Sequence, residues 1–291
     1  MEKLTTDILI LGAGPAGISA ALYAVRGGAD VTVVSNGTSA LNKAEKIENY
    51  YGFSEPISGE ELLKNGIANA KRLGVRVEET ELLSVRMNDT LNGFIAETKS
   101  GSMEARAVIL AAGASRVTPK LKGITELEGH GVSYCAVCDA FFYRKKKVAV
   151  IGAGAYAAHE ASVLVPHAET VALLTDGEPM PPKLSEGIEV ITKKLVAVEG
   201  NEKVSGVRFE DGTELELDGV FVAIGVAGST SIARTMGIIT EGNSIKTDEH
   251  MATNIPGVFA AGDCTGGLLQ VAKAVYQGAE AGLSALKYVR R

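Results

Sequence analysis

Two cysteines three positions apart, in Cys135-Ala-Val-Cys138-Asp139, are the residues of this chain best suited to chemistry. A C-x-x-C pair serves as half of a zinc site, as a dithiol–disulfide redox centre, or is coincidental. Structural zinc takes two further ligands from a second C-x-x-C or an H-x3–5-H. The remaining cysteine is Cys264, and His130, His159, His167 and His250 lack that spacing. No metal site is expected. In a redox pair, Asp139 can pass a proton to or from a leaving thiolate; the plainer role for it is to cap a short helix that starts at the cysteines. Cys264 has no partner in sequence and reads as a small buried residue.

A disulfide centre needs an electron carrier, and glycines of a dinucleotide fold lie on both sides of the pair. Asp7 to Leu11 reads as a strand running into Gly12-Ala-Gly-Pro-Ala-Gly17. A helix from about Ala16 to Val25 and a strand over Val31 to Val34 follow. In such a turn the first Gly makes the bend, the second admits a phosphate to the backbone, and the third lets helix pack on strand. The unit returns about 140 residues later: strand Lys147 to Ile151, turn Gly152 to Ala157, helix Ala158 to Leu164, strand Thr170 to Leu174. Each copy has a later strand ending in small residues, Ala107 to Gly113 and Gly219 to Gly225. This long period marks a duplicated domain. Ile255 to Asp263 then forms a strand and a Gly-Asp turn, and Leu268 to Tyr288 a closing helix.

The chain has 291 residues, 46% of them hydrophobic, with 34 Gly and a net charge of −6. That length suits two domains, and the apolar content excludes a disordered chain. The acidic balance excludes a nucleic-acid binder, and no apolar run approaches the ~20 residues of a membrane span. Three cysteines make no secreted disulfide framework. Met1 to Val25 is apolar, but it lacks the basic start of a signal peptide and is broken by Gly12, Gly14, Pro15 and Gly17. A cytoplasmic protein is expected.

With these motifs in order, the chain resembles the low-molecular-weight, flavin-dependent thioredoxin reductases over nearly its whole length. The resemblance rests on Gly12-x-Gly-Pro-Ala-Gly17, Ile47-Glu-Asn-Tyr-Tyr-Gly52, Ala111-Ala-Gly-Ala114, Gly131-Val-Ser-Tyr-Cys-Ala-Val-Cys-Asp139, and Val258-Phe-Ala-Ala-Gly-Asp263 with Gln270. It implies an α/β fold of two Rossmann-like three-layer domains, the second inserted in the first. Residues 1–115 and 245–291 would bind FAD; residues 116–244 would form the redox-disulfide domain on a degenerate pyridine-nucleotide fold. FAD would contact Gly12, Gly14, Pro15, Ala16, Gly17, Ser35, Asn36, Asn49, Ala112, Gly113, Gly262, Asp263, Gln270 and Val271. Cys138 would face the flavin and Cys135 would attack the disulfide of thioredoxin, with Asp139 as general acid and base. A homodimer is the family expectation.

The departures from the family pattern bear on the electron donor. NADPH-dependent members carry a basic cluster after the second strand of the inserted domain, which grips the 2′-phosphate. Here the residues are Leu173-Leu-Thr-Asp-Gly-Glu-Pro-Met180, and acidic groups repel a phosphate. Bulky Tyr156 stands in the glycine turn, over the path of a pyrophosphate. Asp176, 24 positions after Gly152, has about the spacing of an acid that bonds an NAD ribose, but Asp176-Gly177 also reads as a simple turn. In the first domain Ser35-Asn36 replaces the ribose-binding acid, and Thr38 to Asn42 lacks the usual Gly-Gly-Gln loop. These losses are similar to those of the ferredoxin-dependent flavin thioredoxin reductases, so ferredoxin is the expected donor. Arg144-Lys-Lys-Lys147 and Lys193-Lys194 are the basic segments that could receive an acidic ferredoxin. Phe141-Phe-Tyr143 is expected to be core. Alternatives are an NADH-dependent thioredoxin reductase, an FAD- and oxygen-dependent dithiol oxidase, and a non-catalytic flavin redox sensor.

Overall fold

The computed structural model describes residues 4–113, 121–134, 136–181, 183–224, 228–242 and 244–291. The chain divides into two compact units, Met1–Arg116 with Gly228–Arg291, and Val117–Ala227. Both are α/β.

The first unit begins β1 (Leu4–Leu11), α1 (Pro15–Arg26), β2 (Val31–Ser35), α2 (Gly59–Arg72), β3 (Arg76–Glu79), β4 (Leu82–Met87), β5 (Phe94–Thr98) and β6 (Gly101–Leu110). In the second follow β7 (Val132–Ser133), α3 (Ala136–Asp139), β8 (Lys147–Ile151), α4 (Ala155–Leu164), β9 (Thr170–Leu174), β10 (Ile188–Ile191), β11 (Leu195–Gly200), β12 (Val204–Phe209), β13 (Glu214–Glu216) and β14 (Gly219–Val222). The chain completes the first unit with α5 (Ser229–Thr235), β15 (Thr240–Glu241), β16 (Ser244–Ile245), β17 (Val258–Ala260) and α6 (Val271–Val289). The return falls at Gly228, earlier than the boundary of 245 expected from sequence. Its cause is packing: the Ser229 hydroxyl accepts the Ala112 amide at 2.9 Å, tying α5 to the end of β6.

In the first unit the sheet runs β3-β2-β1-β6-β5-β4, with β17 also on β6. The strand β6 is long enough to hold two partners on one side. Gly101 to Ala105 pair antiparallel with β5, and Val108 to Leu110 pair parallel with β17. On the other side β1 pairs parallel, Leu11 opposite Leu110, while Ala260 also lies opposite Leu110. Three strands therefore end at one level, which sets Gly12, Ala111 and Ala261 side by side. Ile8 to Leu11 are all buried, as a parallel strand covered on both faces must be.

Small residues bring α1 and α6 into backbone contact. A Cβ on Gly278 would lie 2.1 Å from Ala16 O, and one on Gly282 would lie 2.4 Å from Ala20 O. The Ser19 hydroxyl donates across the crossing to Val275 O at 2.7 Å.

The second unit repeats the scheme with a parallel sheet, β10-β9-β8-β14-β7, and adds the antiparallel sheet β11-β12-β13. Strands β8 and β9 have the expected bounds, but α4 starts at Ala155, earlier than expected, so Tyr156 belongs to its first turn. Among the described residues no helix is long and apolar enough to cross a membrane.

Candidate functional site

In the first unit the aligned strand ends and the start of α1 make a cradle. Gly12 has φ +112°, and a Cβ there would sit 2.4 Å from Ala111 O. The third glycine is tighter: a Cβ on Gly17 would be 1.8 Å from Gly12 O. Gly14 differs, since its added Cβ would meet only Ser39 Oγ, at 3.8 Å. It caps α1 without a side-chain hydrogen bond, and Pro15 occupies the first turn, where an amide would be idle anyway. The open amides of that turn and its positive helix end suit an anion. Ala16 is buried and faces Gly262 (φ +86°), whose Cβ would lie 2.8 Å from the Ala16 methyl. Around Gly113 (φ +72°) an added Cβ would meet nothing within 4 Å among the described residues.

Residues far apart in sequence close the rim. Asn49 Nδ2 donates to Gln270 Oε1 at 3.0 Å, and Gln270 is the residue before α6, whose first residue is Val271. Asp263 opens a short 3-10 turn, Asp263–Thr265. Ser35 and Asn36 shape the end of β2: Ser35 Oγ accepts from Gly37 N, and Asn36 Oδ1 accepts from the Thr38 amide and hydroxyl.

Sequence reasoning missed three residues here. Lys273 Nζ donates to Gly262 O at 2.8 Å and to Gly266 O at 2.5 Å. Gln277 Oε1 accepts from Gly262 N and from the Thr265 hydroxyl, at 3.0 and 2.9 Å. Together they staple the Gly-Asp turn to α6. Their signal was a polar pair four apart on one face of an otherwise small and apolar helix. The third is Ser229, whose contact with Ala112 is non-local and left no pattern.

The second unit carries the segment expected from sequence to be redox-active. Cys135 lies outside the described residues, and Cys138 is placed by its backbone in the one-turn α3. Asp139 follows, and its Oδ2 accepts the Ser133 hydroxyl at 2.6 Å. Asp139 is the last residue of α3, not the residue before it, and it makes no side-chain cap to the next turn, Ala140–Tyr143. Beneath α3 lies Glu160, 5% exposed on α4, whose Oε2 accepts the Ala136 amide at 2.8 Å. Burial pushes its carboxyl up to about 7, against a smaller lowering by that amide. A charged residue on the apolar stripe Ala157–Ala161–Leu164 was the overlooked sign.

The aromatic run after α3 is not core as expected. Phe141 and Phe142 are 66% and 68% exposed. Tyr143 alone turns inward, edge-on to Phe221 with centroids 5.1 Å apart, over Gly219 where a Cβ would lie 2.1 Å from its ring. Arg144 lies over Phe141 at 5.0 Å, and Lys146 over Tyr143 at 5.5 Å. Of the other basic segment, Lys193 is committed to Asp211 at 2.8 Å, which holds that carboxyl well below the usual carboxylate range.

The second glycine turn is as tight as the first: a Cβ on Gly152 would meet Ala223 O at 2.3 Å, and Tyr156, in the helix turn that follows, is buried. The loop after β9 is closed on itself. Asp176 and Gly177 have φ of +53° and +85°, and Glu178 N donates to Thr175 O at 3.1 Å. That is a type I′ turn, with positive φ at both central residues. The Thr175 hydroxyl donates to Glu178 O at 2.6 Å, and Asp176 Oδ1 accepts the Leu195 amide at 2.7 Å. The carboxylate that could have met a ribose instead joins β9 to β11.

Comparison with known proteins agrees with this geometry. The family model for pyridine nucleotide-disulphide oxidoreductases matches residues 6–278. A thioredoxin reductase of Listeria innocua is 34% identical over 307 residues, covering 99% of this chain and 95% of the relative. An atypical thioredoxin reductase from Desulfovibrio vulgaris Hildenborough is 40% identical with a TM-score of 0.91, covering 98% of each chain. A ferredoxin-flavin thioredoxin reductase from Clostridium acetobutylicum is 33% identical with a TM-score of 0.71, also over 98% of each. FAD is the cofactor of these enzymes. The cradle fits it: Gly14 and Gly113 leave open the space that a Cβ would fill, at a helix end suited to a pyrophosphate. The chain belongs to the pyridine nucleotide-disulphide oxidoreductase family, and its relatives there are thioredoxin reductases.

Proposed function

We propose that the chain is a thioredoxin reductase that takes electrons from reduced ferredoxin, and that Cys135 and Cys138 form its redox-active disulfide. The observation that carries the choice of donor is the closed turn Thr175–Glu178. A pyridine nucleotide would need that loop open and, for NADPH, basic. Here the turn hydrogen bonds and the Leu195 amide hold it shut, and Asp176 brings a negative charge. The likeness to the Clostridium ferredoxin-flavin thioredoxin reductase supports the same donor.

The cofactor would be held by the Gly12–Gly17 turn, Ala112, Gly113, the Gly262–Asp263 turn and the Asn49–Gln270 pair, with Ser35 and Asn36 at the rim. Bound FAD supplies electrons to a disulfide. The chain's own groups do the rest. Cys135 attacks the thioredoxin disulfide, Cys138 resolves the mixed disulfide, and thiol–disulfide exchange returns the pair to its oxidised form. Asp139, its carboxylate oriented by the Ser133 hydroxyl, takes and gives the proton at sulfur. Ferredoxin near −400 mV and thioredoxin near −270 mV leave a fall of about 130 mV, roughly 6 kcal/mol for two electrons. Arg144 to Lys147 form the basic face for ferredoxin, and the enzyme works as a cytoplasmic homodimer.

Mixed anaerobically, reduced ferredoxin is expected to bleach the flavin and deliver electrons to thioredoxin, and NADPH and NADH to leave it oxidised. Bleaching by either nucleotide at a rate matching ferredoxin overturns the donor assignment.

Exposed Phe141 and Phe142, directly after the redox helix, suit an apolar partner surface. The double change Phe141→Ala/Phe142→Ala is expected to raise KM for thioredoxin about tenfold, the loss of roughly 1.4 kcal/mol. Flavin reduction by dithionite should be unchanged. An unaltered KM places thioredoxin elsewhere.

A further inference from the structure

Glu160 has no part in that mechanism, yet it holds the peptide that joins Cys135 to Ala136. We propose that Glu160 is a proton-coupled positioning residue: it anchors the first turn of the redox helix through the Ala136 amide and takes up the proton that one sulfur leaves behind on reduction. The inference rests on the reading of Cys135 and Cys138 as a redox pair.

The argument starts from the balance of the step. Two-electron reduction of the disulfide, with electrons from the ferredoxin-fed flavin, breaks the S–S bond and forms two thiols with uptake of two protons. When one sulfur remains a thiolate, only one proton is taken up at sulfur. The new negative charge belongs to Cys135 or Cys138, one position before and two after Ala136 in sequence, whose amide Glu160 holds, and it favours protonation of that carboxyl. The second proton then resides on Glu160, and oxidation of the pair by thioredoxin releases it. A carboxyl in water cannot serve this way near neutrality, because it is already ionised; the burial of Glu160 brings it into range.

Few other charges compete. The elements packed on α4 are α3, β8 and β9. Their titratable residues are Cys138 and Asp139 on α3 and Lys147 at the outer end of β8; β9 has none. Asp139 is engaged with Ser133, Lys147 is exposed, and α4 itself adds His159 and the buried Tyr156, one turn before Glu160.

The test is alkylation of the dithiothreitol-reduced holoenzyme by iodoacetamide from pH 5 to 9, read peptide by peptide. Cys264 is fully buried with its thiol pushed up to about 11, so it serves as an unreactive control. In the wild type the rate profile for the pair is expected to show two ionisations, one near pH 7. In Glu160→Gln, whose amide oxygen still accepts the Ala136 N–H, the step near pH 7 should vanish. At pH 9, where Glu160 of the reduced wild type has given up its proton, the rate in the variant should be at least threefold higher, because the negative charge opposing the thiolate is gone. If Glu160 only props the helix, Glu160→Gln keeps the wild-type profile and Glu160→Ala alone departs from it, which overturns the proposal. A single ionisation in the wild type overturns it without any variant. Thiol counting separates the two readings: two thiols gained on reduction with no step near pH 7 sinks this inference alone, and no gain sinks the redox pair and the inference with it.

Discussion

Gly14→Ala is expected to give a stable, folded protein depleted of flavin. The Gly14 backbone, φ −71° and ψ −178°, is open to any residue, and the new methyl would meet only Ser39 Oγ at 3.8 Å. Among the described residues nothing else lies within 4 Å to resist it, so the apo-protein should fold and melt close to the wild-type temperature, the lower entropy of the unfolded chain being offset by the poorer helix cap. The methyl would, however, stand in the space proposed for the pyrophosphate. Crowding of that kind costs about 1–3 kcal/mol, on the order of ten- to a hundredfold in FAD affinity.

Gly17→Ala forms the contrast, because its methyl would fall 1.8 Å from Gly12 O, a backbone atom that cannot swing away. That change should lower both flavin content and the melting temperature of the apo-protein. The ratio of flavin to protein absorbance, beside thermal melting of the stripped proteins, reads both variants. Full flavin content in Gly14→Ala would move the cofactor out of this cradle.

The contrast between Gly14 and Gly17 shows how far the sequence could be read. Strand–glycine–helix spacing located both dinucleotide-like turns, and the apolar runs Lys147 to Ile151 and Thr170 to Leu174 gave strand bounds that the structure reproduces. Local signals sufficed there because a buried parallel strand is continuous in sequence. What escaped depends on contacts between distant residues. Ser229 meets Ala112 across more than a hundred positions, and it moved the domain boundary. Glu160 looked like an ordinary helix charge until α3 was folded over it. Phe141 and Phe142 looked like core because apolar residues usually are, and a surface made for a partner carries the same composition. Asp176 had the spacing of a ribose ligand, and only its positive φ and its bond to Leu195 show it as a turn.

Glu160→Gln is also expected to stabilise the protein more as the pH rises. Burial raises the folded-state carboxyl from about 4.5 to about 7, so its contribution to stability is fully present below pH 4.5 and is lost as the pH climbs through 7. Integrated over that window the loss is about 3 kcal/mol. The neutral amide does not titrate, so the variant and wild type should melt alike near pH 4.5. By pH 8 they should separate by about 6–12 °C, with the variant higher, at the ~2–4 °C per kcal/mol usual for a domain of this size. A gap that stays constant with pH would mean that the carboxyl ionises as freely as in water and that the burial of Glu160 does not govern it. A group that costs stability at neutral pH, where glutamine could make the same hydrogen bond, does something the amide cannot. Beside the proposed redox pair, the role we assign it is to carry a proton.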